Sequence, residues 1–86
     1  MSFPSRTMLD YSDRIRRLYG IIKARNTGPR SKIAKQMHIS VRSVSNYILV
    51  LKSLGAEIEY DAESESYYFA NGFILTATLE VEIRND

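Results

Sequence analysis

Three side chains at close spacing, Arg42, Ser45 and Asn46, carry the most specific chemistry in this sequence. An arginine fork can bond a guanine edge at two points. An asparagine amide can do the same to adenine, and a serine hydroxyl reaches phosphates or either base. Offsets of three and four residues put all three on one helical face. The plainer reading is the polar face that any helix needs, and Arg and Asn would serve there too. Position favours the chemical reading, because these residues occupy the first two turns of the helix, where base edges are reached when a helix enters the major groove. A second set, Arg30, Lys32, Lys35, Ser40 and Ser43, offers cations and hydroxyls suited to phosphates. For the cations the plain alternative is solubility.

Catalysis finds little to work with. His38 is the single histidine and there are no cysteines, so disulfides, thiolate zinc sites and a cysteine nucleophile are excluded. No glycine-rich phosphate loop, nucleophile elbow or metal-spaced cluster is present. Glu57, Glu59, Asp61, Glu63 and Glu65 do not follow the ligand order of a calcium loop and lack the glycine at its bend. They read as a solvated acidic hairpin. The expectation is a protein without enzymatic activity, cofactor or metal.

The elements that must position the polar set lie between Gly28 and Gly55. Gly28 can cap a helix and Pro29 suits its first turn, where a missing N–H costs nothing. Ile33, Ala34 and Met37 give that helix a narrow apolar seam. His38 falls where the chain must turn, and histidine is among the few residues that tolerate a left-handed backbone. Ile39 is the expected plug of the turn, and Ser40 the N-cap of a second helix. On that helix Val44, Tyr47, Ile48, Val50, Leu51 and Leu54 fall on one broad apolar arc, and Gly55 supplies the stop. The opposite arc carries Arg42, Ser45, Asn46 and Ser53, with Leu49 as its one apolar member.

Ser40, Arg42 and Ser43 at the start of this helix, with Leu51 and Gly55 at its end, resemble the helix-turn-helix of bacterial transcription regulators of the DeoR-like and WYL-associated kind. The run Ala56-Glu57-Ile58-Glu59-Tyr60-Asp61 stands where that family has its wing, so the resemblance spans about Arg14 to Phe69. It implies an α+β fold, a winged helix-turn-helix of three helices followed by a β-hairpin wing and a C-terminal strand. Two departures stand out. His38 replaces the usual turn glycine, and Arg30 and Ser31 replace the acidic residues common at the start of the first motif helix.

The rest of the chain fits around that motif. Thr7 with Asp10 resembles a capping box, so a first helix is expected from Thr7 to about Arg25. Met8, Tyr11, Ile15, Leu18 and Ile22 form its apolar stripe, and Gly20 within it is a candidate for close packing. After Gly55 the period changes from 3.6 to about two. The wing is expected over 57–69, with a turn from Asp61 to Ser66 and Tyr67-Tyr68-Phe69 as its return strand. Those aromatic residues could instead form a stacking platform for single strands, but such platforms work beside cations and this strand is flanked by acids. A third alternating run, 73–83, follows the tight-turn signal Asn71-Gly72. It is expected to be a C-terminal strand.

At 86 residues the chain is read as one domain, 1–86, with a modest core. Residues 1–55 hold eleven Lys/Arg against two acids, whereas 56–86 hold one Arg against eight acids, so the net charge of +2 hides a strong asymmetry. A basic half carrying a helix-turn-helix is the electrostatic footprint of nucleic-acid binding. The N-terminus lacks the apolar run of a signal peptide, and no stretch approaches a membrane span. A cytoplasmic protein that avoids membranes is expected. The function expected is sequence-specific binding of double-stranded DNA by a small transcriptional regulator, with Arg42, Ser45 and Asn46 at base edges. Regulators of this resemblance usually carry a ligand-sensing domain; none is expected within these 86 residues, so no sensed metabolite is expected on this chain. The alternatives are a protein-interaction module on the same scaffold and the DNA-binding part of a larger sensing regulator. The alternating run Phe73–Ile83 also predicts a homodimer, since an overhanging apolar strand is best covered by its two-fold mate.

Overall fold

The computed structural model describes residues 6–76, with side chains from Tyr11 onward. Three helices precede an antiparallel hairpin: α1 Arg6–Lys23, α2 Arg30–Met37, α3 Val41–Ser53, β1 Ile58–Asp61 and β2 Ser66–Phe69. This small α+β arrangement is compatible with a winged helix. Helix α1 packs against α3 and β2, and α2 packs against α3.

The apolar stripe of α1 accounts for its place in the fold. Ile15, Leu18 and Ile22 are completely buried, and burying each contributes about 1.5–3 kcal/mol. They meet Ile33, Ala34 and Met37 of α2, then Val44, Tyr47, Ile48 and Leu51 of α3, with Ala56 and Ile58 closing the core under the hairpin. Tyr11, at the edge of the stripe, stays 39% exposed, yet its ring meets the Tyr47 ring edge-on at 5.7 Å. Two expectations for α1 need correction. The helix is already formed at Arg6, so Thr7 stands inside it and does not cap it. Gly20 has no neighbouring atom within 4 Å of where a Cβ would stand, so close packing is not its role. The helix ends at Lys23 because Arg25 takes a left-handed backbone, φ 58°.

Helix α2 begins one residue later than expected. Pro29 is its N-cap, its carbonyl accepting the Lys32 and Ile33 amides, and Gly28 precedes it at φ 71°. A side chain at 28 would be strained in that conformation and would press on the Lys32 stem, whose Cδ lies 2.6 Å from the Cβ position. Helices α2 and α3 end in the same way. At the exit of α2, His38 sits at φ 58° and ψ 43°, and the Ile39 amide reaches back to the Ala34 carbonyl at 3.0 Å. At the exit of α3, Gly55 sits at φ 113° and the Ala56 amide reaches the Leu51 carbonyl at 3.1 Å. Both are Schellman closures, in which one left-handed residue satisfies the last carbonyls of the helix.

The hairpin pairs Ile58 with Phe69, Glu59 with Tyr68, Tyr60 with Tyr67 and Asp61 with Ser66. The β2 aromatics are engaged in packing. Tyr67 and Phe69 are half-buried against the core, and the Tyr68 ring lies 4.8 Å from the Arg25 guanidinium carbon. The expected C-terminal strand is not seen where the structure describes it: residues 72–76 have no regular secondary structure, and 77–83 lie outside the described residues. Asn71-Gly72 does not make the tight hairpin turn either, because a type I′ turn needs positive φ and neither residue has it. Asn71 works as a clamp instead. Its amide nitrogen donates to the Gly55 carbonyl at 3.0 Å and its amide oxygen accepts the Glu57 N–H at 3.1 Å. The chain then folds back, placing the Phe73 ring 6.0 Å from Tyr19 and 5.7 Å from Phe69.

Candidate nucleic-acid interface

The outward face of α3 is built by what its inward face buries. Val44, Tyr47, Ile48 and Leu51 go into the core, so helical spacing turns Arg42, Asn46 and Leu49 to the exterior, with Ser45 half-exposed beside them. Leu49 is 60% exposed, an apolar side chain left uncovered in the middle of a polar arc. The helix start is fixed by Ser40, whose Oγ accepts the Ser43 N–H at 3.0 Å. The Ser40 hydroxyl also donates to Ser43 Oγ at 3.0 Å.

One bond joins the two sets of expected contacts. Arg30, the first residue of α2, donates from Nη1 to Ser45 Oγ on α3 at 2.8 Å. The start of α2 therefore stands against the outward arc of α3. Lys32 and Lys35 are exposed on α2, and the Lys32 stem lies over Gly28. Thus Arg30 and Ser45 are brought together, Ser40 and Ser43 are brought together, and Arg42 and Asn46 stand exposed one helical turn apart. Sequence spacing shows the second pairing and the third, but the contact between Arg30 and Ser45 spans 15 residues and has no local signal.

Helix α3 is braced from behind. Arg14 of α1 donates to the Tyr47 hydroxyl at 3.3 Å, giving that buried ring a polar partner. Behind the hairpin, Thr27 and Ser66 form a buried polar node that sequence reading missed. Ser66 Oγ accepts the Thr27 N–H at 3.0 Å, and Thr27 Oγ1 accepts the Tyr67 N–H at 2.8 Å while donating to the Gly28 carbonyl at 2.7 Å. Every buried side-chain nitrogen and oxygen among the described residues has a partner.

The hairpin tip is acidic by construction. Asp61 accepts the Glu63 N–H at 3.1 Å through Oδ1 and the Ser64 hydroxyl at 2.9 Å through Oδ2, so its carboxylate shapes the turn. Glu63 and Glu65 remain exposed there. Among the described residues no three His, Cys, Asp or Glu are grouped to hold a metal ion, and no helix is long and apolar enough to cross a membrane. Comparisons with protein-family models, characterised proteins and solved structures find no match to this chain.

Proposed function

We propose that the chain is a winged helix-turn-helix that binds double-stranded DNA by sequence, with α3 in the major groove. The observation that carries this reading is the exposed arc Arg42, Ser45, Asn46 and Leu49 on a helix whose opposite face is core. Arg42 and Asn46 suit guanine and adenine edges, and Leu49 suits a thymine methyl. Lys32 and Lys35 on α2, with Ser43, serve the phosphates. Regulation on this reading is steric or by recruitment, in the cytoplasm, with no bond made or broken. A two-fold dimer would suit this function, because two such helices about 34–36 Å apart read a palindrome in successive major grooves. The acidic hairpin points away from the duplex, since like charge against phosphate is unfavourable.

Selection from a random duplex pool, followed by affinity measurements over a range of salt, tests the proposal. An enriched site is expected, with log affinity falling by about 0.9 per phosphate neutralised for each tenfold rise in salt. The acidic hairpin favours a second reading, a module that docks a basic protein surface. Absence of both an enriched site and salt-dependent affinity would leave that reading in place of the first.

A further inference from the structure

We infer that Arg30 fixes the base preference of Ser45, so that a residue on α2 sets sequence specificity through α3; this rests on the DNA-binding reading above. A serine hydroxyl is chemically ambivalent. It has one hydrogen to give and two lone pairs to receive, so alone it serves base acceptors and base donors alike. In a helix it also tends to spend its hydrogen on the carbonyl four residues back. Ser45 is in neither condition. Among the described residues its side-chain bond is with Arg30, whose Nη1 donates to Oγ at 2.8 Å. Arginine has no acceptor, so the direction of that bond is fixed by chemistry: Ser45 receives and its hydrogen stays available.

Two consequences follow from that direction. The guanidinium occupies a lone pair of Ser45 Oγ and repels any further donor approaching it, so the hydroxyl presents itself outward as a donor. Arg30 has five N–H donors and this bond uses one, which leaves the fork able to add its own donors beside the hydroxyl. Together the pair presents mainly donors. It suits the O6 and N7 acceptors of guanine, the N7 of adenine or the O4 of thymine, and it opposes the N4 amino group of cytosine. Arg30 is half of a specificity pair on this view, and its loss should be felt at one base position.

Arg30 and Ser45 are at the surface, so their substitution should leave the core intact, and circular dichroism with thermal melting checks that each variant is folded. Full-length wild type, Arg30→Ala, Ser45→Ala, the double variant and Lys32→Ala are each passed through the same random duplex selection, and affinities are measured for the selected site and its single-base variants. Arg30→Ala and Ser45→Ala should each reduce discrimination at the same base position by about tenfold. The double variant should do no more than either alone, and Lys32→Ala should weaken all sequences equally. If Arg30→Ala also weakens all sequences equally, or if the two single losses fall at different positions or add, the inference is overturned while DNA binding stands. If wild type selects no site, the DNA-binding reading falls and takes this inference with it.

Discussion

Ser66 Oγ accepts the backbone N–H of Thr27 at 3.0 Å, a bond across 39 positions of sequence made in the interior of the protein. Thr27 returns the favour through its hydroxyl, which accepts the Tyr67 N–H at 2.8 Å. The turn between α1 and α2 is thereby fastened to the return strand of the hairpin. Thr27→Val keeps the shape but leaves the part-buried Tyr67 N–H without its acceptor. That should cost about 1–3 kcal/mol, read as a lower urea midpoint at unchanged slope. An unchanged midpoint would show that water or a shifted strand replaces the bond.

His38 holds a left-handed backbone, φ 58° and ψ 43°, with its side chain exposed. A non-glycine residue bears about 1–2 kcal/mol of strain there, partly offset because glycine loses more freedom on folding. His38→Gly should raise stability by about 0.5–1 kcal/mol. His38→Val should lower it, because a β-branched side chain is poorly accommodated at positive φ. Thermal melts of the three proteins side by side give the order, and a glycine variant less stable than wild type would point to an unrecognised role for the imidazole.

Arg42→Ala should weaken binding to a selected site by about 1–3 kcal/mol and relax the preference at one base position. Lys32→Ala should weaken all sequences alike and lower the salt slope by about 1. Titrations of matched and mismatched duplexes at two salt concentrations separate the two patterns. A uniform loss for Arg42→Ala would make it a phosphate contact.

Replacing Glu63 and Glu65 together with Gln removes two exposed negative charges from the hairpin tip and leaves the Asp61 turn bonds in place. DNA affinity should stay the same or rise slightly. A clear fall would mean that these acids contact something on the bound complex.

For assembly, sedimentation of the full chain should be compared with a version ending at Thr76, which retains the Phe73 ring against Tyr19 and Phe69. A dimer joined through the C-terminal run becomes a monomer on truncation. Two monomers would remove the dimer, and two dimers would place the joint elsewhere, with α1 the next element to test.

Local chemistry in the sequence determined the helices of the motif and the faces they bury. Ile15, Leu18 and Ile22 repeat at helical spacing and are buried, the Val44–Leu51 arc goes into the core, and Ser40, His38 and Gly55 close the helix ends as their backbone preferences demand. Such signals are legible because each concerns residues within one or two turns of one another. Tertiary structure decided what depends on residues far apart in the chain. Asn71-Gly72 has the composition of a hairpin turn, but the Asn71 amide finds Gly55 and Glu57, 16 and 14 residues away, and the turn is lost to that clamp. Thr27 and Ser66 look like ordinary loop and strand residues until the fold buries them together. Arg30 looks like a surface cation until α2 is laid across α3 and brings it to Ser45. A hydrogen bond is specified by position to within a few tenths of an ångström, and only the packed chain supplies that position for partners distant in sequence.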